Sequence, residues 1–215
     1  MEFFSYIITA LGAYLLGSIP TGYLVAKAKG IDIRSVGSGN IGATNVFRVL
    51  GKKAGVFVLL ADAAKGFLAC QVGIWEARHY FPPDSFGGRE ETFAILAGIF
   101  AILGHNYTCW LTFKGGKGIA TTAGVLIALA PGAFLIVLSI FILVVGTTRY
   151  ISLASIVAAF CLPFAVWLLH GTPGTIIVTA LLGALAIYKH KANIKRLFDG
   201  TENRFGKKKI AEAPK

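Results

Sequence analysis

Charge is scarce in this sequence. Asp, Glu, Lys and Arg make up only 14% of its 215 residues, where a soluble domain carries about 25%. The shortfall is gathered into long uncharged runs, which excludes an ordinary soluble domain. Thiols are few as well: Cys70, Cys109 and Cys161 stand apart in apolar stretches, without a CxxC pair. That argues against a zinc ribbon or dithiol redox centre and leaves three small apolar packing residues. The four histidines and ten acids show no metal-ligand spacing, so the sequence predicts no metal, no cofactor and no sensitivity to chelators. The N-terminus lacks a basic leader with a small-x-small cleavage site. Its uncharged run, 3–26, exceeds a signal-peptide core and reads as a retained span. Repeats and linkers are missing too, and the chain is expected to form one domain over 1–215.

What is abundant is apolar: 55% of residues, with a mean hydropathy of +0.70. Two further spans, 54–77 and 92–110, follow directly. The uncharged run 150–188 would be roughly 58 Å long as a helix, twice the hydrocarbon thickness. An HGTPG turn at 170–174 divides it into spans 151–169 and 173–189. The run 118–148 is long for one span and short for two, with Pro131 and Gly132 near its centre. Charge decides. Read as two helices, 118–130 and 132–147, it puts 18 of the 21 Lys and Arg inside, Arg78 and Arg89 outside, and Lys65 in the membrane. Read as one helix, it moves most of them outside, against the positive-inside rule. The expected fold class is all-α: a polytopic membrane helix bundle of seven transmembrane helices, N-terminus outside and C-terminus cytoplasmic.

The net charge of +11 would suggest nucleic acid in a soluble protein. Here the basic residues lie between apolar runs, so topology and anionic headgroups account for most of them, and no nucleic-acid partner is expected. Three internal segments carry the polar motifs. In GSGNIGATNVFR, Gly37, Gly39 and Gly42 let backbone N–H groups converge on an anion. Ser38, Asn40, Thr44 and Asn45 add neutral donors, and Arg48 adds a planar fork suited to phosphate. In GHNYTCWLTFKGGKGIATT, Lys114 and Lys117 flank Gly115 and Gly116, and Gly118 opens a helix: a second anion cradle. His105 is either a polar helix end or a reactive group. In YKHKANIKRLFDGTENRFGKKK, His190 and Asn193 are three apart and share a face of a helix continuing from the last span. Lys207, Lys208 and Lys209 suit a lipid-binding tail. The plainer readings of the first two segments are a flexible polar loop and a positive-inside anchor. Asp62 and Lys65, inside the second span, read first as a structural ion pair and second as part of the site.

Some patterns mislead. GSGNIG spells the GxGxxG dinucleotide fingerprint, but a membrane helix precedes it where a strand is required, and the downstream acid, Asp62, lies inside another span. KGGKG is not a Walker A loop, because Gly118 stands where Ser or Thr should. The HxxxxD string from His79 to Asp84 lies in an external loop with two prolines, away from every phosphate motif. No carboxylate–histidine dyad or Ser/His/Asp set stands out on the inner side.

Taken together, the three internal segments resemble, in order and spacing, the signature motifs of the bacterial acyl-phosphate:glycerol-3-phosphate acyltransferase family, over essentially the whole chain. Only the external loop and the basic C-terminal extension depart from the pattern. The resemblance implies a seven-helix enzyme of the bacterial cytoplasmic (inner) membrane, with its active site facing the cytoplasm. Its substrates would be acyl phosphate and glycerol 3-phosphate, and its products lysophosphatidic acid and phosphate, the first step of phospholipid biosynthesis. Neither coenzyme A nor acyl carrier protein would be used directly. By the same resemblance Ser38, Arg48 and Lys117 serve the reacting phosphates, while His190 and Asn193 hold glycerol 3-phosphate. A monomer in contact with membrane lipids is expected. The competing class is an organic-anion or phosphate transporter, favoured by short paired helices and intramembrane charge, opposed by one-sided motifs without a repeat.

Overall fold

The computed structural model describes residues 2–81 and 88–206, and every regular element among them is helical. The prolines and acid of the external loop, Pro82 to Asp84, and the tail lysines Lys207, Lys208 and Lys209 lie outside the described residues.

The first apolar run is not one helix. Helix α1 (Glu2–Ser18) stops before Pro20, which has no N–H to continue the ladder, and α2 (Thr21–Lys27) resumes after it. A break of this kind leaves carbonyls that lipid cannot satisfy. Two side chains from elsewhere do so: Thr108 donates to the Ser18 carbonyl at 2.6 Å, and Lys65 to that of Ile19 at 3.0 Å.

After a loop and the short helix α3 (Ala43–Leu50), α4 (Lys52–Tyr80) runs for 29 residues, about 44 Å. Helix α5 (Arg89–Asn106) returns between α1 and α4, followed by a 3-10 turn at Cys109–Leu111. Small residues set these approaches. A methyl on Gly17 would lie 2.1 Å from the Ala101 carbonyl, and one on Gly104 2.2 Å from that of Tyr14. Helix α6 (Ile119–Leu129) has only 11 residues, about 16 Å, and packs against α4 and α5. Helices α7 (Pro131–Thr148), α8 (Ile151–Leu168) and α9 (Pro173–Lys189) complete the apolar part, with Pro at the first turn of α7 and α9 and Thr172 capping α9. Outward faces are apolar: Leu60, Phe160, Leu143, Trp167 and Leu181 are all more than 60% exposed, as lipid-facing residues must be.

Among the described residues five helical runs, with α1 and α2 counted as one, are long and apolar enough to cross a membrane, and six if the bent pair α9 and α10 (Lys191–Phe198) is one span. The shortfall from seven falls on α6. The expected straight continuation from α9 through Asn193 is also corrected: the chain bends by 57° at His190. Cys70 packs in the core as expected, whereas Cys109 is exposed on the 3-10 turn.

Candidate active site

The first motif folds around one buried side chain. The Nδ2 group of Asn45, a residue 2% exposed, reaches the carbonyls of Ile33, Val36 and Asn40 at 2.9–3.2 Å, while its Oδ1 accepts the Ser38 N–H at 2.8 Å. Asn40 closes a smaller turn, its Oδ1 accepting the Gly42 N–H at 2.8 Å just ahead of α3. A methyl on Gly37 (φ +63°) would lie 2.2 Å from the Asn45 Oδ1, so the position needs glycine for both space and backbone sign. Ser38 is exposed on this loop, and Thr44 and Arg48 stand one turn apart on the exposed side of α3. Partial desolvation pulls the Arg48 guanidinium below its ordinary value, with Glu202 opposing the shift.

The second motif is pressed against the end of α5. Gly116 N–H donates to the His105 carbonyl at 3.0 Å and Gly115 N–H to that of Asn106 at 3.2 Å. Methyls on Gly115, Gly116 and Gly118 would sit 2.0, 2.1 and 2.8 Å from the His105 carbonyl, the His105 Nε2 and the Asn106 Oδ1 respectively. Of the glycines expected to form a backbone cradle, Gly39, Gly42, Gly115 and Gly116 already donate their N–H groups within the protein, and these glycines also serve close approach. Side chains add to the affinity for an anion. Lys117 turns inward and donates to Asn193 Oδ1, whereas Lys114 is exposed on the same loop. Burial brings the Lys117 ammonium down to about 8, against the raising influence of Glu202.

The third motif follows the bend after α9. His190 is 3% exposed and its Nδ1 faces the Ala186 carbonyl at 2.7 Å, which requires that nitrogen to carry the proton and leaves Nε2 as an acceptor. Burial, followed by the Lys117 charge, holds the ring down at about 4, so it is neutral near pH 7. The sequence reading missed Glu202. Its carboxylate accepts from Asn193 Nδ2 at 2.9 Å, Ser152 at 3.1 Å and Arg196 Nε at 2.7 Å. Lys189 was missed too; it donates to the Asn106 carbonyl at 3.0 Å and lies over the Tyr107 ring. Both lay inside quoted motifs, Glu202 as an acid among many cations and Lys189 beside His190. The chain after α10 folds back, with Phe205 N–H on the Arg149 carbonyl at 2.7 Å and its ring 5.5 Å from Phe47 of α3.

Arg48, Lys189, Arg196 and Glu202 all act electrostatically on Lys117. Four cations against one carboxylate make this end of the bundle strongly attractive to anions. Among the described residues no three His, Cys, Asp or Glu side chains group closely enough to hold a metal ion.

A multi-pass helical protein with a cationic, histidine-bearing cluster at one end of the bundle is the class that fold and site define. The chain belongs to the glycerol-3-phosphate acyltransferase family, whose model matches residues 7–200. It is 51% identical over 199 residues to a glycerol-3-phosphate acyltransferase of Geobacter metallireducens, covering 93% of this chain and 97% of that one. Among solved structures it is similar to the integral membrane glycerol 3-phosphate acyltransferase PlsY (YgiH) in its glycerol 3-phosphate form: TM-score 0.85, 40% identity, 94% of this chain and 96% of that one. The lysophosphatidic acid form of that enzyme gives a TM-score of 0.82 at 39% identity over the same shares. The chain is thus an acyltransferase, and the transporter alternative loses its footing.

Proposed function

We propose that this protein transfers a fatty acyl group from acyl phosphate to the 1-hydroxyl of glycerol 3-phosphate, releasing lysophosphatidic acid and phosphate as the entry step of phospholipid synthesis. The observation that carries this reading is the Lys117–Asn193 bond, which joins the second motif to the third within the electrostatic reach of Arg48 and Glu202. Related enzymes of known structure hold glycerol 3-phosphate and lysophosphatidic acid. In the reaction the hydroxyl oxygen bonds to the acyl carbon, the bond from that carbon to the phosphate oxygen breaks, and the hydroxyl proton leaves on the phosphate. Lys117 and Arg48 stabilise charge on the departing phosphate, with Ser38 at the same centre. His190 Nε2 and Asn193 fix the glycerol hydroxyls, so that positioning supplies much of the rate. A ring held at about 4 is a poor resting place for the proton; a phosphate with a second pKa of about 6 is a better one. The donor therefore serves as its own base, without coenzyme A or acyl carrier protein.

The same reading places the enzyme in the bacterial inner membrane as a monomeric single domain with seven crossings, N-terminus outside and the cationic cluster facing the cytoplasm. What supports it is the charge count, 18 of 21 Lys and Arg on one side, with α6 as a short seventh crossing shielded by α4 and α5. Purified protein supplied with acyl phosphate and glycerol 3-phosphate tests the chemistry. Equal amounts of lysophosphatidic acid and phosphate are expected. Phosphate alone would make it a hydrolase, and dependence on added coenzyme A would remove the proposed donor. Thiol labelling of Ser38→Cys, Lys114→Cys and Lys191→Cys, all at exposed positions, in right-side-out and inverted vesicles tests the topology; all three should react from the cytoplasmic side only.

A further inference from the structure

A chain of buried polar groups runs through the bundle to the second motif, and the proposed mechanism does not use it. Lys65 and Asp62, 5% and 2% exposed, pair on α4 at 2.9 Å. Lys65 is anchored at one end by the Ile19 carbonyl. On the other side Asp62 Oδ1 lies 3.8 Å from Nδ1 of His105, itself 5% exposed, in the last turn of α5. The sequence showed no such carboxylate–histidine pair because 43 positions and a helix reversal separate the two residues. The backbone carbonyl of His105 then receives Gly116, its Nε2 lies against the same glycine, and the next residue is Lys117.

We propose that Lys65, Asp62 and His105 form a positioning relay that fixes the Lys114–Gly118 loop and so sets the Lys117 ammonium in register with Asn193. A pair of buried charges is a poor way merely to fill space, since apolar residues of the same volume often serve stability as well or better. Intramembrane charges are retained where they do something else. Here the carboxylate acts on the imidazole across 3.8 Å, through its charge and not through a hydrogen bond, since the buried His105 Nδ1 has no hydrogen-bond partner among the described residues, and the ring forms the wall against which the loop is seated. The carbonyl of Asn106, held by both Gly115 and Lys189, braces the loop from the far side.

The inference rests on the acyltransferase reading for its kinetic test, and a second readout is independent of turnover. In full-length protein, amide hydrogen exchange at Gly115 to Gly118 is compared between wild type, His105→Leu and the neutral pair Asp62→Asn with Lys65→Gln, which leaves no unpaired charge. Exchange should quicken by about 10-fold or more in both variants, while the bundle helices keep their protection. In the acylation assay, His105→Leu should lower kcat by about 10- to 100-fold, and His105→Asn, which keeps a donor facing Asp62, should recover much of the loss. Added to Lys117→Ala, His105→Leu should cost little more than Lys117→Ala alone, because the relay acts through that lysine. Unchanged loop exchange, a wild-type kcat in His105→Leu, or losses that multiply with Lys117→Ala would each overturn the relay. Wild-type protein that makes no lysophosphatidic acid would sink the acyltransferase reading instead, and the exchange measurement would still decide the relay.

Discussion

The loop ahead of α3 is held from within: Asn45 gathers four backbone groups of its own segment, and the loop's outer surface, Ser38 and Gly39 included, is exposed. The loop ahead of α6 is held from outside. Its N–H groups bond to the end of α5, its glycines touch His105 and Asn106, and Gly116 and Gly118 are buried. Both are rich in glycine, and by sequence both looked like backbone cradles for phosphate. Glycine does different work in the two: in the first it supplies left-handed turns around a side chain, in the second it lets a loop lie flush on a helix end. The first loop can thus tolerate local strain, whereas the second transmits any displacement straight to Lys117.

The largest effect that would sharpen this contrast comes from the two lysines of the second loop. Lys117→Ala should lower kcat/KM by about 10²- to 10³-fold, as loss of one charge-stabilising donor does. Lys114→Ala, on the exposed side, should change it by about twofold or less. Steady-state acylation rates decide, and equal losses would erase the distinction between inward and outward lysine. Next comes glycine itself. A methyl at Gly116 meets His105 Nε2 at 2.1 Å, so Gly116→Ala should cost about 100-fold in kcat through misplacement of the neighbouring lysine. Gly39→Ala meets the Arg34 carbonyl at 3.0 Å with φ +70°. It should cost about 1–2 kcal/mol of backbone strain, visible as a lower Tm with kcat largely kept. The reverse ranking would break the comparison.

Asn45 tests the first loop alone. Asn45→Ala strips the donors from three carbonyls and should destabilise by about 1–3 kcal/mol, read as a fall in Tm with a raised KM for both substrates. Asn45→Asp should be at least as harmful, although it keeps the acceptor for Ser38, because a carboxylate would face those carbonyls with no N–H to offer. An aspartate variant as stable as wild type would show that Asn45 does not organise the loop.

Much of this arrangement was legible in the amino-acid order. Apolar runs located the helices, Pro131 and the HGTPG turn marked real breaks, and three motif strings sufficed for the family. Long-range pairing was not legible. Pro20 warned of a break in the first run, yet nothing local said that Thr108 and Lys65 would satisfy the carbonyls it frees. The bend at His190 escaped because no Gly or Pro marks it; periodicity runs straight through. Glu202 resembled one more solvated charge, and only the fold shows it clamped between Asn193, Arg196 and Ser152. A motif string lists donors, but whether an N–H is free for an anion depends on which carbonyl the fold brings beside it.

The smallest effect separates the loops by pH. Burial in the second loop brings Lys117 down from 10.5 to about 8. The free enzyme should then lose half its kcat/KM near pH 8, because that parameter follows the unliganded protein. With a phosphate bound the ammonium is held charged, so kcat should persist to higher pH. Lys117→Arg, which stays cationic throughout, should flatten the limb whatever its absolute rate. Stability should move in the opposite direction. Below pH 8 the folded state bears the cost of a buried cation; between 8 and 10.5 the folded form has shed that proton and the unfolded chain has not, so Tm should rise slightly as pH climbs through the interval. His190, held at about 4, should add no limb between pH 5 and 7. A limb in that range that disappears in His190→Gln would make His190 the base and remove the donor phosphate from that role. An alkaline limb that persists unmoved in Lys117→Arg would mean the charge that matters lies on another residue, and that the second loop does not seat it.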